Sequence, residues 1–450
     1  MKLSSKILSP PTKMTDLNHP SCGVSRKELI FLHDTPQVCA QIERSETPET
    51  AAASLITELS HSGTLRIESQ GYGENLNGFI DTQVLFTNRA GDATQGRGKG
   101  LGPQSLASGV FECFEHAVSD GVIDEHPPSQ YIERVDFDLK NEDIRIRKAA
   151  DIDSPGLLFS RLREGVPNDV ILPAAVYDYR YTGNDLPALA LHRTSNGYAA
   201  GATVFDAILH ALCELIERDA LSNLLLDSIR NYDIVDQVTN YRPLGRYEIG
   251  TAGEVGAAVS QALNEGIRIW KLPSRCAHVV LAESGEKDQW GRVDLGLGCS
   301  FNEYYAIQRA ILELFQERST SRDDLTSDPD SESCHINSRH FSTFPNLLRA
   351  AKGVFPNSWS EEELTPSSPF PLISLGDTRS ITLHIANELW ESHGIEVLYR
   401  EIPTPLGSAK LVQVACPGFE TFHHIRSFIP CEPTGRSRTI ESVKLCRERT

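Results

Sequence analysis

Long hydrophobic runs are missing from this sequence. No apolar stretch is long enough to cross a bilayer, and the first twenty residues have no apolar core of the length that a secretory signal needs. Basic residues are in deficit, because 43 Lys and Arg stand against 61 Asp and Glu and the formal net charge is −18. That balance disfavours nonspecific binding to nucleic acid or to an anionic membrane. We therefore expect a cytoplasmic protein that binds neither nucleic acid nor membrane.

Several catalytic and metal-binding signatures are also absent. The ten cysteines include no C-x-x-C pair, which argues against a structural zinc site and against a disulfide framework. No HExxH, GxGxxG or nucleophile-elbow motif occurs. With 450 residues, 40% of them hydrophobic and 23% charged, the chain is long enough for two or three globular domains. Helical and strand patterns alternate along it, which predicts an α/β or α+β fold.

Local patterns predict individual elements. Thr47 as N-cap, Pro48 at the first position and Gly63 as a stop delimit a helix. Alternating residues predict a strand over 79–88, followed by a glycine-rich loop over 89–105 that leads into a second helix. Further along, "DLGLGCS" predicts another glycine loop before a helix, while "DVILPAAVYDY" and "PALALHRTS" predict short strands.

Two pairs of glutamates lie in apolar helical surroundings. Residues 195–223 look at first like one long buried helix, yet Glu214 and Glu217 interrupt its apolar run, and Glu112 and Glu115 repeat the spacing in an earlier helix. Residues three apart lie about 60° apart on a helix, so each pair can address one point. Four such carboxylates need cations, and oxygen ligands favour Mg²⁺, which completes its shell with water and phosphate oxygens. The two pairs therefore indicate a nucleotide site. The alternative is that each pair lies on a solvated helix face.

The segment before the first pair, "GRGKGLG", combines four glycines with Arg97 and Lys99. Backbone N–H groups of such a segment, together with a helix N-terminus, can cradle phosphate. It is not a Walker A loop, because Lys99 is followed by Gly100 where Ser or Thr is required. An ordinary flexible turn remains the alternative reading.

A third helix carries a polar edge beside its apolar residues. The polar positions are Arg309, Glu313, Gln316 and Arg318. With the apolar residues they make the helix amphipathic, so they form either the polar wall of a pocket or a solvated face. In the second case Arg309 and Glu313 would be a surface ion pair that contributes little to stability.

Taken in order, these segments resemble the motifs of the YcaO family. The similarity covers roughly residues 70–430 and rests on "GKG" at 98–100, the first E-x-x-E pair, "SNGYAAG" at 195–201, "ELIERDA" at 214–220, "GLGCSFNEYYAIQRAILELFQER" at 296–318 and "PGFE" at 417–420. One departure is His116, which stands where the family usually has Arg.

The resemblance implies an α+β fold with mixed sheets and helices around an ATP and Mg²⁺ site that is not a P-loop. It implies that the metal is held by Glu112, Glu115, Glu214 and Glu217. It also implies further ATP contacts by Lys99, Ser108, Ser195, Asn196, Gln316 and Arg318, and catalytic roles for Arg218, Arg309 and Glu313. The expected division is an N-terminal arm over 1–49, a catalytic domain over 50–436 and a tail over 437–450.

The chemistry implied by the family is ATP-dependent phosphorylation of a backbone amide in a ribosomally made precursor peptide, in bacteriocin-like natural-product biosynthesis. The product would be an azoline from Cys, Ser or Thr, a thioamide from sulfide, or an amidine. The chain ends in "VKLCRERT" and not in the Pro-x-Pro-x-Pro tail of many azoline-forming members, which leaves the product open. A non-catalytic scaffold and an ATP-dependent ligase for a small molecule are the alternatives.

Partners follow from the same resemblance. The expected substrate is the precursor peptide, which many members receive through a separate leader-binding protein of the E1-like or winged-helix type. A TfuA-type protein is the counterpart for thioamides. A leader-binding module is not expected within this chain, because the catalytic domain takes up its length. A homodimer is possible.

Overall fold

A computed structural model describes most of the chain. The described residues are 43–71, 79–124, 131–133, 137, 143–152, 154–163, 169–178, 180–181, 183, 189, 194–231, 245–247, 259–260, 266–287, 291–323, 340–355, 362–364, 377–429 and 431–434. Of the predicted arm, residues 43–49 belong to this set, and the predicted tail lies outside it.

Helices and strands alternate through the described part of the chain. The helices are α1 (Pro48–Ser62), α2 (Pro103–Ser119), α3 (Ile144–Ala150), α4 (Ala174–Tyr177), α5 (Val204–Asn231), α6 (Glu303–Asp323), α7 (Pro345–Ala351), α8 (Thr378–His393) and a 3₁₀ helix (Phe422–Ser427). The strands are β1 (Gly63–Gly71), β2 (Phe79–Asn88), β3 (Ala93–Leu101), β4 (Gly156–Arg161), β5 (Asp169–Pro173), β6 (Tyr198–Gly201), β7 (Gly245–Tyr247), β8 (Ile267–Leu272), β9 (His278–Lys287), β10 (Val293–Ser300), β11 (Glu362–Leu364), β12 (Leu398–Ile402) and β13 (Lys410–Ala415).

The strands form three sheets that pack with the helices. One sheet is antiparallel, in the order β1-β2-β3. A second has the order β10-β9-β8-β7-β11, in which only the β7–β11 pair is parallel. The third, β5-β4-β12-β13-β6, is antiparallel. This mixture of sheets and helices confirms the predicted α+β class.

The first helix begins and ends as predicted. Thr47 Oγ1 accepts a hydrogen bond from the backbone N–H of Thr50 at 3.3 Å, Pro48 is the first helical residue and Gly63 follows the last. Such an N-cap satisfies one of the amides that the helix leaves without an internal partner. The strand predicted over 79–88 is also confirmed.

Both predicted glycine loops are wrong, because each is a strand. The segment expected to be a loop before the first glutamate pair forms β3, which pairs with β2 along its whole length. Its glycines serve close packing: a Cβ on Gly98 would lie 1.9 Å from Ser105 O and 2.2 Å from Gly109 N of α2. A strand and a helix can approach this closely only where no side chain separates their backbones.

The same arrangement recurs between β10 and α6. A Cβ on Gly298 would lie 2.1 Å from Ala306 O, and a Cβ on Gly296 would lie 2.1 Å from Ala310 O. In both units an antiparallel three-stranded segment is followed at once by the helix that packs on its last strand. The repeated Gly-x-Gly therefore sets the distance of two charged helices from their sheets.

The segment 195–223 is not one continuous helix. It begins with a turn and the short strand β6, and α5 starts only at Val204. Gly197 has φ +84°, and a Cβ there would lie 2.2 Å from Val414 O, so the turn requires glycine. The strand predicted in "DVILPAAVYDY" ends at Pro173 and continues as α4, while most of "PALALHRTS" lies outside the described residues.

The largest apolar core surrounds α5. Buried residues of this helix, among them Leu212 and Leu225, pack with strands of two sheets and with α7 and α8. A helix that is buried on most sides has few positions for charged side chains. The acidic residues of α5 therefore need an oppositely charged or hydrogen-bonding partner, because an unpaired buried charge is costly. Among the described helices, none is long and apolar enough to cross a membrane.

Candidate active site

Side chains from α2, α5, α6 and β3 meet at one place. Lys99 of β3 forms an ion pair with Glu313 of α6. Arg309 of α6 lies with Nη2 3.8 Å from Oε2 of Glu217 of α5. The charge of Glu214 of α5 raises the pKa of both α2 glutamates, Glu112 and Glu115. The structure therefore brings together elements that are separated by about two hundred residues in the chain.

The two glutamates of α2 are held by backbone amides. Burial raises the pKa of Glu112, although His116 and Lys99 oppose the shift and the N–H of Arg97 donates to its carboxylate. Burial also raises the pKa of Glu115 well above its ordinary value, and the charge of Glu214 adds to that shift. Two acids that resist ionisation next to further acids form a site that favours a cation.

On α5, a guanidinium lies between the carboxylates and the "SNG" turn. Arg218 forms an ion pair with Glu214, one helical turn earlier, and its Nη1 donates to Asn196 Oδ1 at 2.7 Å. Burial raises the pKa of Glu217, against the opposing effect of Arg309. The side chains of Arg218 and Glu214 remain 30% and 28% exposed, so a ligand can reach them.

Lys99 supplies a second cation from the strand side. Burial lowers the pKa of its ammonium from 10.5 to about 8, while the carboxylate of Glu112 opposes the shift and Arg309 reinforces it. Without a negative charge nearby, burial would lower the pKa of this lysine further. Its position on β3 is set by the glycines on either side, which let the strand lie against α2.

Of the four predicted positions on α6, two contact the charged side chains of α5 and β3. Arg309 lies beside Glu217, and Glu313 forms an ion pair with Lys99. Gln316 donates from Nε2 to the carbonyl of Arg97 at 3.0 Å, which ties α6 to β3. Arg318 instead contacts the second sheet, where it donates hydrogen bonds to Asp294 at 2.8 Å and to Glu286 at 2.9 Å.

The two predicted serines lie at the margins of the cluster. Ser108 is half-buried on α2, four residues before Glu112 and therefore on the same helix face. Ser195 is exposed in the turn before β6, where its carbonyl accepts the N–H of Tyr198 at 2.9 Å.

The segment 43–46 carries no motif, and the sequence did not predict its contact with this region. Glu43 is buried and its Oε1 accepts from Ser300 Oγ at 2.5 Å, so the segment is fastened at the end of β10. Arg44 Nη2 lies 3.4 Å from Nδ1 of His210, which precedes Glu214 by one turn of α5. Burial lowers the pKa of His210 well below its ordinary value, and Arg44 acts in the same direction. Only the helical spacing of His210 and Glu214 could have indicated this neighbourhood.

The donor set suits a magnesium ion that arrives with phosphate. Among the described residues, no three His, Cys, Asp or Glu side chains come close enough together to hold a metal by themselves. The carboxylates are instead paired with Arg218, Arg309 and Lys99. Mg²⁺ in proteins characteristically binds one or two carboxylates and takes its other ligands from water and phosphate. The carboxylates suit the magnesium ion of a magnesium–triphosphate complex, and the arginine and lysine side chains suit its phosphate oxygens.

A model of the YcaO family, described as a cyclodehydratase that binds ATP and Mg²⁺, matches residues 97–420. The chain belongs to the YcaO family. The matched range contains both glutamate pairs, on α2 and α5, and the polar positions of α6. A comparison with curated protein sequences gives no match.

Solved structures share the fold. YcaO from Methanopyrus kandleri, bound with AMPPCP and Mg²⁺, is 18% identical with a TM-score of 0.58, over 87% of this chain and 96% of that one. A heterocyclase in complex with substrate and cofactor is 19% identical with a TM-score of 0.55, over 84% of this chain and about half (53%) of that one. The E. coli microcin synthetase McbBCD complex with pro-MccB17 bound is 17% identical with a TM-score of 0.54, over 80% and 88%.

Proposed function

We propose that this YcaO protein uses Mg·ATP to activate a backbone amide of a ribosomally made precursor peptide. The observation that carries the proposal is that the motif glutamates of α2 and α5 lie beside Lys99, Arg218 and Arg309. The side chains of Arg218 and Glu214 remain partly exposed, so a ligand can reach them. The family, and the heterocyclase and microcin synthetase structures that share the fold, support a peptide as the substrate.

The residues divide the chemistry between them. A nucleophile loses its proton and adds to the amide carbon, and the resulting oxyanion takes the γ-phosphoryl group of ATP with release of ADP. Departure of phosphate, together with a proton from the amide nitrogen or the added sulfur, then leaves the C=N or C=S bond of the product. Arg218, Arg309 and Lys99 would balance negative charge on the moving phosphoryl group, and the glutamates of α2 and α5 would hold Mg²⁺. Phosphorylation turns a very poor leaving group into a good one, so positioning and electrostatics supply most of the rate.

A cyclised Cys, Ser or Thr gives an azoline, and the likeness to the heterocyclase and the microcin synthetase favours that product. A thioamide from external sulfide is the second candidate. We propose a cytoplasmic, bacteriocin-like pathway. The partner is a leader-binding protein of the E1-like or winged-helix type for azolines, or a TfuA-type protein for thioamides, and the protein itself is proposed to form a homodimer.

The test is mass spectrometry of the precursor peptide encoded beside this gene, after incubation with the protein, its genomic partner, ATP and Mg²⁺. Loss of the mass of one water without sulfide identifies an azoline. A gain equal to the difference between sulfur and oxygen, only when sulfide is present, identifies a thioamide. An unmodified peptide despite bound Mg·ATP contradicts the proposal. ATP turnover with a metabolite would then favour a small-molecule ligase, and its absence a scaffold.

A further inference from the structure

Two neighbouring histidines, His423 and His424, are held against α5 close to Arg218. They belong to the 3₁₀ helix, which packs on α5. Ser222 of α5 is buried, and its Oγ accepts the backbone N–H of His423 at 2.9 Å and lies 3.2 Å from Nδ1 of the same residue. Ser222 follows Arg218 by four residues, so both side chains share one face of α5. The histidines are therefore fastened one helical turn from an arginine of the proposed site.

The chain just before the histidines is held by the same helix. The backbone N–H of Glu420 donates to Oδ1 of Asp219 at 2.8 Å. Asp219 is buried and directly follows Arg218 in the sequence. Two buried side chains of α5, Asp219 and Ser222, therefore set the position of this segment relative to Arg218.

The two rings differ in what they can still bind. Their centroids are 4.1 Å apart. Nδ1 of His423 is engaged by Ser222, whereas the ring of His424 is half-buried and has no hydrogen-bond partner among the described residues. Burial lowers the pKa of His424 to about 4, and Arg218 and Arg145 act in the same direction. His424 is therefore a neutral imidazole at neutral pH, and one of its ring nitrogens can accept a proton.

The reaction needs a proton acceptor that the charged cluster does not supply. A Cys, Ser or Thr nucleophile must lose its proton as it adds to the amide carbon. In the proposed mechanism the glutamates of α2 and α5 hold Mg²⁺, while Lys99, Arg218 and Arg309 carry positive charge. None of these groups is left to take the proton. A neutral imidazole is the side chain that most often does so in enzymes.

We propose that His424 takes the proton from the nucleophile of the peptide and passes it to the departing phosphate. The inference rests on the proposed function and names the residue that handles the proton. The unprotonated ring nitrogen accepts the S–H or O–H proton, the electron pair left on sulfur or oxygen forms the bond to the amide carbon, and the carbonyl π electrons move to its oxygen. That oxygen takes the γ-phosphoryl group, and ADP leaves. As the C–O bond breaks, the imidazolium protonates the phosphate, and the amide nitrogen gives its own proton to water while the C=N bond forms.

His424 should become a stronger base when Mg·ATP binds. Among the described residues, the charged and titratable groups that act on its ring are Arg218 of α5, Arg145 of α3 and the adjacent His423. The two arginines disfavour the imidazolium. A triphosphate bound beside Arg218 offsets one of these charges, so the pKa of His424 should rise in the nucleotide complex.

The first test follows this pKa by NMR of the full chain with labelled histidine side chains, using His424→Gln to identify the signal. We expect a pKa of about 4 in the free protein. With Mg²⁺ and a non-hydrolysable ATP analogue, we expect it to rise by at least about one pH unit. The signal of His393, a half-buried histidine at the end of α8, is the control and should not respond. A pKa of His424 that the nucleotide leaves unchanged would overturn the inference.

The second test measures modification of the precursor peptide by the full chain with its partner. His424→Ala should lower kcat about 100-fold and leave the KM for Mg·ATP within about twofold of the wild type. The wild-type kcat should fall as the pH falls through the pKa of His424, because a protonated ring accepts no proton, and the variant should lack this acid limb. His393→Ala is the matched control and should keep the wild-type rate.

Three results of the second test would overturn the inference. They are a kcat of His424→Ala within about threefold of the wild type, an acid limb that the variant retains, and loss of nucleotide binding in the variant, which would make the role of His424 structural. An unmodified peptide with the wild type would instead contradict the proposed function. The NMR titration needs no peptide, so it still decides whether His424 lies beside the bound nucleotide.

Discussion

Arg309 and Glu217 face each other across the junction of α6 and α5, with Nη2 3.8 Å from Oε2. The separation is that of an ion pair, not of a hydrogen bond. Glu217 Oε2 is buried and accepts no hydrogen bond from any residue that the structure describes. A carboxylate oxygen in this situation has an unused coordination position next to a guanidinium. That is the arrangement expected where a metal and an anionic phosphate bind side by side.

Replacing Glu217 by glutamine tests this arrangement directly. Glu217→Gln removes one negative charge from the cluster while keeping the shape of the side chain, so the fold should persist. We expect Mg·ATP affinity to fall at least about tenfold, or about 1.4 kcal/mol, with near loss of ATP turnover. Isothermal calorimetry and phosphate release measure the two quantities. Glu401→Gln, at an exposed position of β12, is the control. Unchanged turnover in Glu217→Gln would refute the assignment of the site.

Gly98→Ala should uncouple β3 from α2. The added Cβ would lie 1.9 Å from Ser105 O, so the strand or the helix must move. Overpacking of this kind costs about 1–3 kcal/mol of unfolding free energy, and Lys99 and Glu112 would shift with their elements. We expect both stability and nucleotide affinity to decrease in urea unfolding and calorimetry.

Gly266→Ala provides the comparison for that substitution. A Cβ on Gly266 would meet no atom of the described residues within 4 Å, so this variant should keep wild-type stability and affinity. Equal effects of the two substitutions would show that the close approach of β3 and α2 is unimportant.

Mg²⁺–nucleotide binding should release protons. Burial raises the pKa of Glu115 and of Glu217, so the metal-free protein retains protons on these acids at pH values where exposed glutamates are ionised. A bound cation favours the ionised forms. The number of protons released should increase as the pH falls from alkaline to mildly acidic. Calorimetry in two buffers of different ionisation enthalpy measures it. A release that does not change with pH, or that Glu115→Gln leaves unaltered, would count against the raised pKa values.

His424 should make the protein less stable in acid. Burial lowers its pKa from 6.5 to about 4, and Arg218 and Arg145 act in the same direction. The unfolded chain then binds the proton more readily than the folded one, so stability is complete above pH 6.5 and is lost as the pH falls toward about 4. Urea unfolding across this window should show a smaller decline for His424→Gln than for the wild type. The ring centroid of His423 lies 4.1 Å away, and burial lowers the pKa of His423 as well. Because His423 is present in both proteins, part of the decline should remain in the variant. Parallel curves for variant and wild type would contradict the prediction.

Local chemistry was sufficient for some elements. Thr47, Pro48 and Gly63 delimit α1 because capping and the proline ring act within a few residues. The spacing of Glu112 with Glu115 and of Glu214 with Glu217 placed each pair on one helix face for the same reason, since helical geometry is local. These patterns already indicated a cation site, and the motif order indicated the family.

Tertiary structure decided the role of the glycines and the partners of the charges. Gly98 and Gly298 predict loops when only backbone freedom is considered, but a helix packed against each strand makes them strand residues. Nothing in the sequence near Arg318 shows that Asp294 and Glu286 engage it, or that Arg44 reaches His210. Spacing along a chain determines which side chains share a face. Which faces meet depends on how distant segments pack, because burial and Coulomb forces act between neighbours in space.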